Sequence, residues 1–262
     1  MNASGFLLQL TIEERVRAVS DHRWIVVSRE HPWRKPDSQS EGFIDLILQR
    51  DNGRMVIECK RARQAAWVFL VPEELASPVV RARWLWADGR PGLRNVSGWS
   101  DLEAIPDSPE SSFCVITRDP DSSMLERIAG ALATSMECLA AEELALARDA
   151  SEPFLRIYAG VIVTTAALYT CRHLSASISL RTGELDEATF TSVPAVRFRK
   201  SLPTALRALT PRTLGQASEE AERTIFVVNA ESFLAFLRIV SIGDSTDPAT
   251  LPWNRARAVE AR

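Results

Sequence analysis

The sequence lacks the signatures of several common protein classes. No apolar run reaches the roughly 18 residues of a membrane-spanning helix, and the first residues carry no basic segment like that of a secretory signal. The four cysteines form no CxxC pair and no zinc signature. These absences predict a protein of a reducing, cytoplasmic compartment with no membrane partner.

Motifs of nucleotide-driven and covalent catalysis are also missing. The chain has no GxGxxG segment, no phosphate-binding-loop lysine and no GxSxG nucleophile motif. The three histidines, His22, His31 and His173, form no visible constellation and are expected to be structural. The candidate catalytic groups are therefore the carboxylates and the basic side chains.

Lysine is scarce: of 31 basic residues only Lys35, Lys60 and Lys200 are lysines. Arginine stays protonated, whereas lysine is a compact charge whose pKa can shift, so a lysine at position 60 is notable in such a chain. The formal net charge is −3. A nucleic-acid partner would therefore need a local basic patch, because the molecule as a whole has no basic field.

Hydrophobic periodicity predicts one α/β domain over residues 1–262 with a mixed central sheet and helices on both faces. Thr11 and Glu14 form a capping box that predicts the start of a first helix. Further helices are predicted at 122–147 and 231–240. Strands are predicted at 23–28, 43–50, 54–61, 66–72, 113–117, 155–171, 195–201 and 223–230. Residues 73–112 are expected to be an irregular insertion with a short strand at 81–86.

Asn52-Gly53, between two strand-like runs, predicts a tight hairpin. With these two residues at the centre of the turn, Asp45 would face Lys60 and Ile47 would face Glu58. Alternation then gives one apolar, core-facing side and one side that gathers the charged residues.

Two carboxylates and a lysine at one strand end suit a divalent metal and a water. Mg²⁺ prefers carboxylate and carbonyl oxygens and keeps several waters for a substrate phosphate. Asp45 and Glu58 would be its ligands, with the backbone carbonyl of Cys59 as a third. Lys60 could position or help to deprotonate an attacking water.

Asp45 followed by the Glu58-Cys59-Lys60 triplet, after an acid on a first helix, resembles the PD-(D/E)XK nuclease superfamily, which has the restriction-endonuclease-like fold. The resemblance covers about residues 11–171 and implies an αβββαβ core, with 172–262 as a C-terminal extension that adds strands and a helix. It implies that Asp45 and Glu58 bind Mg²⁺, with Mn²⁺ as a substitute, and that Lys60 is catalytic. Glu13 matches the helix acid better than Glu14, which the cap would use.

The resemblance also implies hydrolysis of phosphodiester bonds, with DNA as the expected substrate. A role in defence against foreign DNA or in repair follows by analogy, with a homodimer or a larger assembly as an expectation. Basic residues that could hold phosphates are Arg61, Arg63, Arg197, Arg199 and Lys200. The interleaved Arg81, Arg83, Trp84 and Trp86 could stack bases, but packing in the core is the favoured interpretation.

Three other interpretations remain open at this point. Asp45 and Lys60 could form only an exposed salt bridge on a solvated hairpin face. A catalytically inactive relative could bind nucleic acid without cutting it. A protein-interaction module could use the hairpin carboxylates for a structural cation.

Overall fold

A computed structural model describes residues 5–36, 39–62, 65–72, 78–87, 96–116, 124–147, 154–173, 178–182, 188–202 and 213–243. The predicted α/β class with a mixed central sheet is confirmed. The helices are α1 (Phe6–Ala18), α2 (Met124–Leu146), α3 (Leu214–Ala221) and α4 (Phe233–Ile239), with a 3₁₀ turn at Ala230–Ser232. The strands are β1 (Ile25–Arg34), β2 (Glu41–Arg50), β3 (Gly53–Lys60), β4 (Ala66–Pro72), β5 (Val79–Ala87), β6 (Val96–Ile105), β7 (Glu110–Ser111), β8 (Phe113–Ile116), β9 (Phe154–Thr164), β10 (Ala167–His173), β11 (Thr189–Ser192), β12 (Ala195–Ser201), β13 (Glu222–Asn229) and β14 (Ser241–Ile242).

The central sheet is mixed and has the order β1-β2-β3-β9-β13-β12-β7. The first three strands pair antiparallel as consecutive neighbours. β9 then pairs parallel with β3, and β13 pairs parallel with β9. The chain returns from the end of β3 to the start of β9 through a long connection that includes α2, as parallel pairing requires. β5 pairs antiparallel with the first half of β9. β6 pairs with β5, and β14 pairs with β6.

A second, four-stranded sheet has the order β11-β10-β4-β8. β10 pairs parallel with β4 in this sheet, directly after the chain has left β9. The change of sheet occurs at a bend around Thr165, whose hydroxyl accepts a hydrogen bond from Ala62 N and donates one to Ala62 O. The bend therefore ties the ends of β3 and β9 together.

Helices pack on both faces of the central sheet. Ile12 and Val16 of α1 and Phe233 and Leu237 of α4 belong to one buried cluster, with Leu46 of the sheet. On the other face, α2 contributes a second cluster, which also contains the second sheet. Because both faces are covered, the strands between them read as nearly continuous apolar runs.

The predicted start of the first helix is wrong. α1 begins at Phe6 with Gly5 as the N-cap, and Thr11 lies within the helix. Its hydroxyl donates to Leu7 O at 2.8 Å instead of capping the helix end. This bond to the preceding turn is the usual alternative for a threonine inside a helix.

Two other predictions about the chain's course are wrong. Residues 155–171 form two strands, β9 and β10, in different sheets rather than one long strand. Residues 73–112 are not irregular throughout, because β5 and β6 form a regular antiparallel pair there. The sequence also did not predict α3, β11 or β14. None of the helices in the described ranges is both long and apolar enough to cross a membrane.

Candidate active site

The β2–β3 hairpin that carries the candidate residues has a register different from the predicted one. Arg50 pairs with Gly53, so Asp51 and Asn52 form the turn, and Asp51 has φ +50°. Ile47 faces Val56, where Glu58 was expected. Each partner moves by two residues, which preserves the alternation, so Glu58 and Lys60 remain on one face of β3.

The polar side of the hairpin is not a solvated face. Ile47 and Val56 are buried in the cluster beneath α2. Ile44 lies in that cluster too, whereas Leu46 lies in the cluster beneath α1, although strict alternation would put both on one face. The strand is therefore irregular at Asp45, between these two residues.

Asp45 connects three elements. Its Oδ2 atom accepts a hydrogen bond of 2.6 Å from the backbone N–H of Cys59 on β3. Its backbone carbonyl accepts one of 3.0 Å from Gln9 Nε2 on α1. Burial raises the pKa of the Asp45 carboxyl above its ordinary value, and Glu30 raises it further, while the Cys59 hydrogen bond and Lys60 act in the opposite direction. Asp45 is thus held in place and poorly solvated.

Glu58 is half-buried and has an unusual ionisation. Burial, together with the neighbouring Asp45 carboxylate, raises the pKa of Glu58 to about 7, against the lowering effect of Lys60. Within the described residues its side chain makes no hydrogen bond and no ion pair. Two neighbouring carboxylates whose pKa values are both raised, with no cation bound between them, are suited to sharing a cation.

Lys60 ends β3, half-buried, beside the two carboxylates. It forms no ion pair with Asp45 or with any other carboxylate of the described residues. The predicted alternative of an Asp45–Lys60 salt bridge is therefore not what the structure contains. The ammonium group lies close enough to act electrostatically on both acids and remains available for another partner.

The carbonyl of Cys59 lies against the start of α1. A Cβ atom added to Gly5 would be only 2.7 Å from this oxygen, so a side chain at position 5 would force the helix away from β3. Gly5 thus allows α1 to begin directly beside the Asp45–Glu58–Lys60 site.

Glu13 lies on the buried side of α1, and Glu14 is exposed. The capping argument against Glu14 fails because Thr11 does not cap the helix, and the assignment of Glu13 as the helix acid stays a prediction. Glu13 is held by two arginines, Arg17 at 3.0 Å and Arg29 at 3.7 Å. One turn earlier, Gln9 is the α1 residue that contacts Asp45.

Two residues near Asp45 were not found from the sequence. Gln9 shares the buried face of α1 with Glu13, four residues away, and this i, i+4 spacing was the available signal. Glu30 has φ +51° and falls between β1 positions that pair on either side of Asp45. No sequence pattern predicts a positive φ at a glutamate within a strand.

The predicted phosphate-binding residues differ widely in accessibility. Arg61 is exposed directly after Lys60, and Arg63 lies outside the described residues. Arg197 is fully buried, with Nε donating to Ser108 O and Nη1 to Val79 O. It supports the sheet from within and cannot reach a phosphate, so this part of the prediction is corrected.

Arg199 and Lys200 are partly exposed but already paired. Arg199 contacts Glu222 at 2.7 Å and Asp101 at 3.2 Å. Lys200 contacts Glu126 at 2.8 Å. Either residue would have to exchange a carboxylate for a phosphate in order to hold nucleic acid.

Of the four candidate base-stacking residues, two belong to the packed interior as favoured from the sequence, whereas Arg81 and Trp86 are half-buried. Arg83 and Trp84 are buried, and Trp84 Nε1 donates to Ser100 Oγ.

The histidines whose side chains are described are both hydrogen-bonded: His22 Nδ1 accepts from Trp24 N, and His31 Nε2 contacts Glu142. The side chain of His173 lies outside the described set.

The donor set fits Mg²⁺ better than a softer metal. In the described part of the chain, no group of three or more His, Cys, Asp or Glu side chains is arranged to hold a metal. Two carboxylates with adjacent backbone oxygen are nevertheless a common protein contribution to Mg²⁺, because this ion keeps most of its water and takes substrate phosphate. The raised pKa values of Asp45 and Glu58 agree with such a site, since a cation would favour both charged forms.

The chain matches no protein-family model, no curated protein and no solved structure.

Proposed function

We propose that this protein is a Mg²⁺-dependent nuclease that hydrolyses phosphodiester bonds in DNA. The observation that carries the proposal is the meeting of Asp45, Glu58 and Lys60 at the end of one hairpin, with no ion pair between them. Grouping two poorly solvated carboxylates without neutralisation costs stability, and a metal that the reaction needs would offset this cost.

The order of elements supports the same proposal. α1 is followed by the antiparallel β1, β2 and β3, then by α2, and then by β9 parallel to β3. This succession agrees with the αβββαβ core of the PD-(D/E)XK superfamily. In this interpretation β4–β8 are inserted between β3 and α2, and β10–β14 follow the core.

In the proposed site, Asp45 and Glu58 would hold Mg²⁺ together with the Cys59 carbonyl. The ion would supply a polarised water and neutralise charge on the scissile phosphate. Gln9 and the N–H of Cys59 fix the orientation of Asp45. Lys60 would orient the attacking water and donate a hydrogen bond to a phosphate oxygen.

The decisive experiment is incubation of the purified chain with plasmid, single-stranded DNA and RNA, with Mg²⁺, with Mn²⁺ and with chelator. We expect metal-dependent loss of DNA. Glu58→Gln and Asp45→Asn should abolish it. Asn can still accept from Cys59 N, so Asp45→Asn is preferable to an alanine that would leave that N–H unpaired.

An exposed-acid variant, Glu14→Gln, is the matched control and should remain active. Retained cleavage in both site variants would refute the proposed site. Absence of cleavage in the unmodified chain with either metal would refute the nuclease proposal.

One observation favours a second candidate, a nuclease-fold protein that binds DNA without cutting it. Glu13, the predicted helix acid, is held by Arg17 and Arg29 and does not act on the Asp45 carboxyl. A binding assay performed beside the cleavage assay separates the two. Metal-dependent DNA binding without product would support the binding protein.

A further inference from the structure

The second sheet, β11-β10-β4-β8, has an inner and an outer face. On the inner face, five residues are buried in the cluster beneath α2: Trp67, Phe69, Cys114, Ile116 and Leu168. Side chains alternate along a strand, so the residues between these positions point to the outer face. A sheet with one solvated face usually alternates apolar and polar residues. β4 and β8 do not follow this rule, because their outward residues are apolar as well.

Cross-strand pairing places the outward residues in rows. One row across all four strands is Phe190, Cys171, Leu70 and Phe113, and the next is Ser192, Tyr169, Val68 and Val115. Ala167 and Ala66 form a third, shorter row on the two central strands. None of these residues is charged, and all except Ser192 are apolar or aromatic.

Much of this outer face is in contact with water. Phe113 is 60% exposed, Val115 55% and Phe190 57%. Val68, Leu70 and Tyr169 are half-buried, and Cys171 is buried. Apolar residues that are exposed singly need no explanation, whereas a contiguous apolar patch marks an interaction surface.

The charges at this face indicate the kind of partner. Lys200 Nζ lies 5.2 Å from the centre of the Phe113 ring, and Glu126 neutralises it at 2.8 Å. The rows themselves offer no cation for a phosphate and no carboxylate for a basic peptide. Neither a nucleic acid nor a charged peptide therefore complements the face, whereas an equally uncharged apolar surface does.

A second copy of the chain has such a surface, and the strand order suits it. A two-fold axis parallel to the strands, between β10 and β4, would stack β11 on the β8 strand of the other copy and β10 on its β4. This rotation keeps each row in place. Phe190 would therefore lie over the partner subunit's Phe113, and Tyr169 over the partner subunit's Val68, and each contact would occur twice.

We propose that the outer face of the second sheet is the interface of a homodimer in which two copies of this sheet stack face to face. Sheets packed in this way lie about 10 Å apart with interdigitated side chains. Four strands about 4.8 Å apart, with rows about 7 Å apart, give a patch of a few hundred Å². A standard interface buries about 800 Å² on each partner, so the dimer should be weak, with a micromolar dissociation constant. The proposal is independent of the nuclease proposal, because it uses no residue of the candidate active site.

The test is sedimentation velocity of the full chain, in chelator, from about 1 to about 200 µM, a range that brackets a micromolar dissociation constant. We expect the unmodified chain to change from monomer to dimer within this range. Phe113→Glu and Phe190→Glu should each raise the dissociation constant by about tenfold or more. Phe43→Glu is the matched control and should leave it unchanged, because Phe43 is a 63% exposed phenylalanine on β2, outside this face.

A mixture of Phe190→Glu and Phe113→Lys chains tests the two-fold arrangement. In the mixed dimer the new glutamate would lie over the new lysine, and the two remaining phenylalanines would meet at the other end. The mixture should therefore associate about tenfold more tightly than either variant alone.

Thermal unfolding checks that each variant is folded, and Val115→Glu, on the same face, replaces Phe113→Glu if the latter unfolds. An unmodified chain that stays monomeric at every concentration would overturn the proposal. A dimer that keeps its affinity in the folded glutamate variants would overturn it as well, since another surface would then hold the copies together. Absence of recovery in the mixture would overturn the stacking of β11 on β8.

Discussion

At the scale of single residues, Glu58 carries most of the chemical information. Its carboxyl is half-buried, lies next to Asp45 and has no hydrogen bond or ion pair within the described residues. Its triplet with Cys59 and Lys60 could be recognised in the sequence because it is the chain's single acid-x-lysine triplet. The residues that act on the neighbouring Asp45, including Gln9 and Glu30, could not be recognised, because their positions depend on how α1 and β1 pack over the hairpin.

The raised pKa of Glu58 predicts a pH dependence of stability. The ordinary value is 4.5 and the folded value about 7, so between these values the folded protein keeps a proton that the unfolded chain has lost. The free energy of unfolding should therefore fall as pH rises from about 4.5 to about 7, by up to about 3 kcal/mol. Mg²⁺ should restore stability above pH 7 by binding the folded carboxylates.

Urea unfolding at pH 5, 6, 7 and 8 measures this effect. Glu58→Gln should remove most of the decrease and most of the Mg²⁺ response, whereas the exposed control Glu14→Gln should keep both. A decrease of the same size in Glu58→Gln would mean that another group is responsible.

Lys60 should be needed for catalysis but not for metal binding. Lys60→Ala should lose cleavage by about 10²–10³-fold, the usual effect of removing one charged donor from a reacting centre, and should still bind Mn²⁺ in calorimetry. Lys60→Arg should also be poor, because the broad guanidinium puts its charge elsewhere and cannot release a proton. Lys200→Arg, at the ion pair with Glu126, is the control and should remain active. If Lys60→Arg were fully active, the role of Lys60 would be limited to supplying positive charge near the carboxylates.

At the scale of elements, the sequence predicts strands well where one pattern controls them. β4, β8, β12 and β13 lie within a residue or two of the predicted ranges because apolar runs and breakers agree there. The single strand predicted at 155–171 fails because the bend at Thr165 depends on hydrogen bonds to Ala62, which is about a hundred residues away in sequence. Local periodicity cannot indicate a change of sheet.

The hairpin shows how a site can be found despite an incorrect register. The Asn52-Gly53 signal favours a turn centred on these two residues, but the turn is centred one residue earlier. The error moves partners by two positions, so it does not change the face on which Glu58 and Lys60 lie. A one-residue error would have put them among the apolar side chains instead.

The close approach of α2 to β9 gives a prediction at the element scale. A Cβ atom on Gly160 would lie 2.5 Å from Ile225 Cδ1 and 2.9 Å from Met136 Sδ, in the buried cluster beneath α2. Gly160→Ala should therefore destabilise the fold by about 1–3 kcal/mol through overpacking. Gly215→Ala is the matched control in α3, since its nearest contact would be 3.9 Å away, and it should be neutral or stabilising by about 0.5–1 kcal/mol.

Chemical denaturation of the two alanine variants provides the measurement. A Gly160→Ala protein as stable as the unmodified chain would mean that Ile225 and Met136 can move aside without cost. In that case α2 would not be packed as tightly on β9 as the distances indicate.

At the scale of the whole molecule, charge decides how DNA could be held. The net charge is −3, and the carboxylates of the proposed site add to the local negative potential. Of the predicted phosphate contacts, Arg197 is buried, and Arg199 and Lys200 are engaged by carboxylates. Arg61 remains as the exposed cation next to Lys60. Arginine-rich composition alone therefore did not identify the surface, because most of these cations stabilise the fold.

The remaining prediction concerns this cation. If Arg61 contacts a backbone phosphate, Arg61→Ala should weaken binding to every duplex alike and reduce the slope of log affinity against log salt by about 1. Fluorescence anisotropy from low to moderate salt, in Ca²⁺ to prevent cleavage, measures both quantities. Arg23→Ala is the matched control, because it removes the same charge from an exposed position at the other end of the hairpin. If the two variants behave identically, the loss reflects only net charge, and the DNA path must follow another surface. If Arg61→Ala leaves the salt slope unchanged while Lys60→Ala reduces it, the phosphate is held at the candidate active site and not by Arg61.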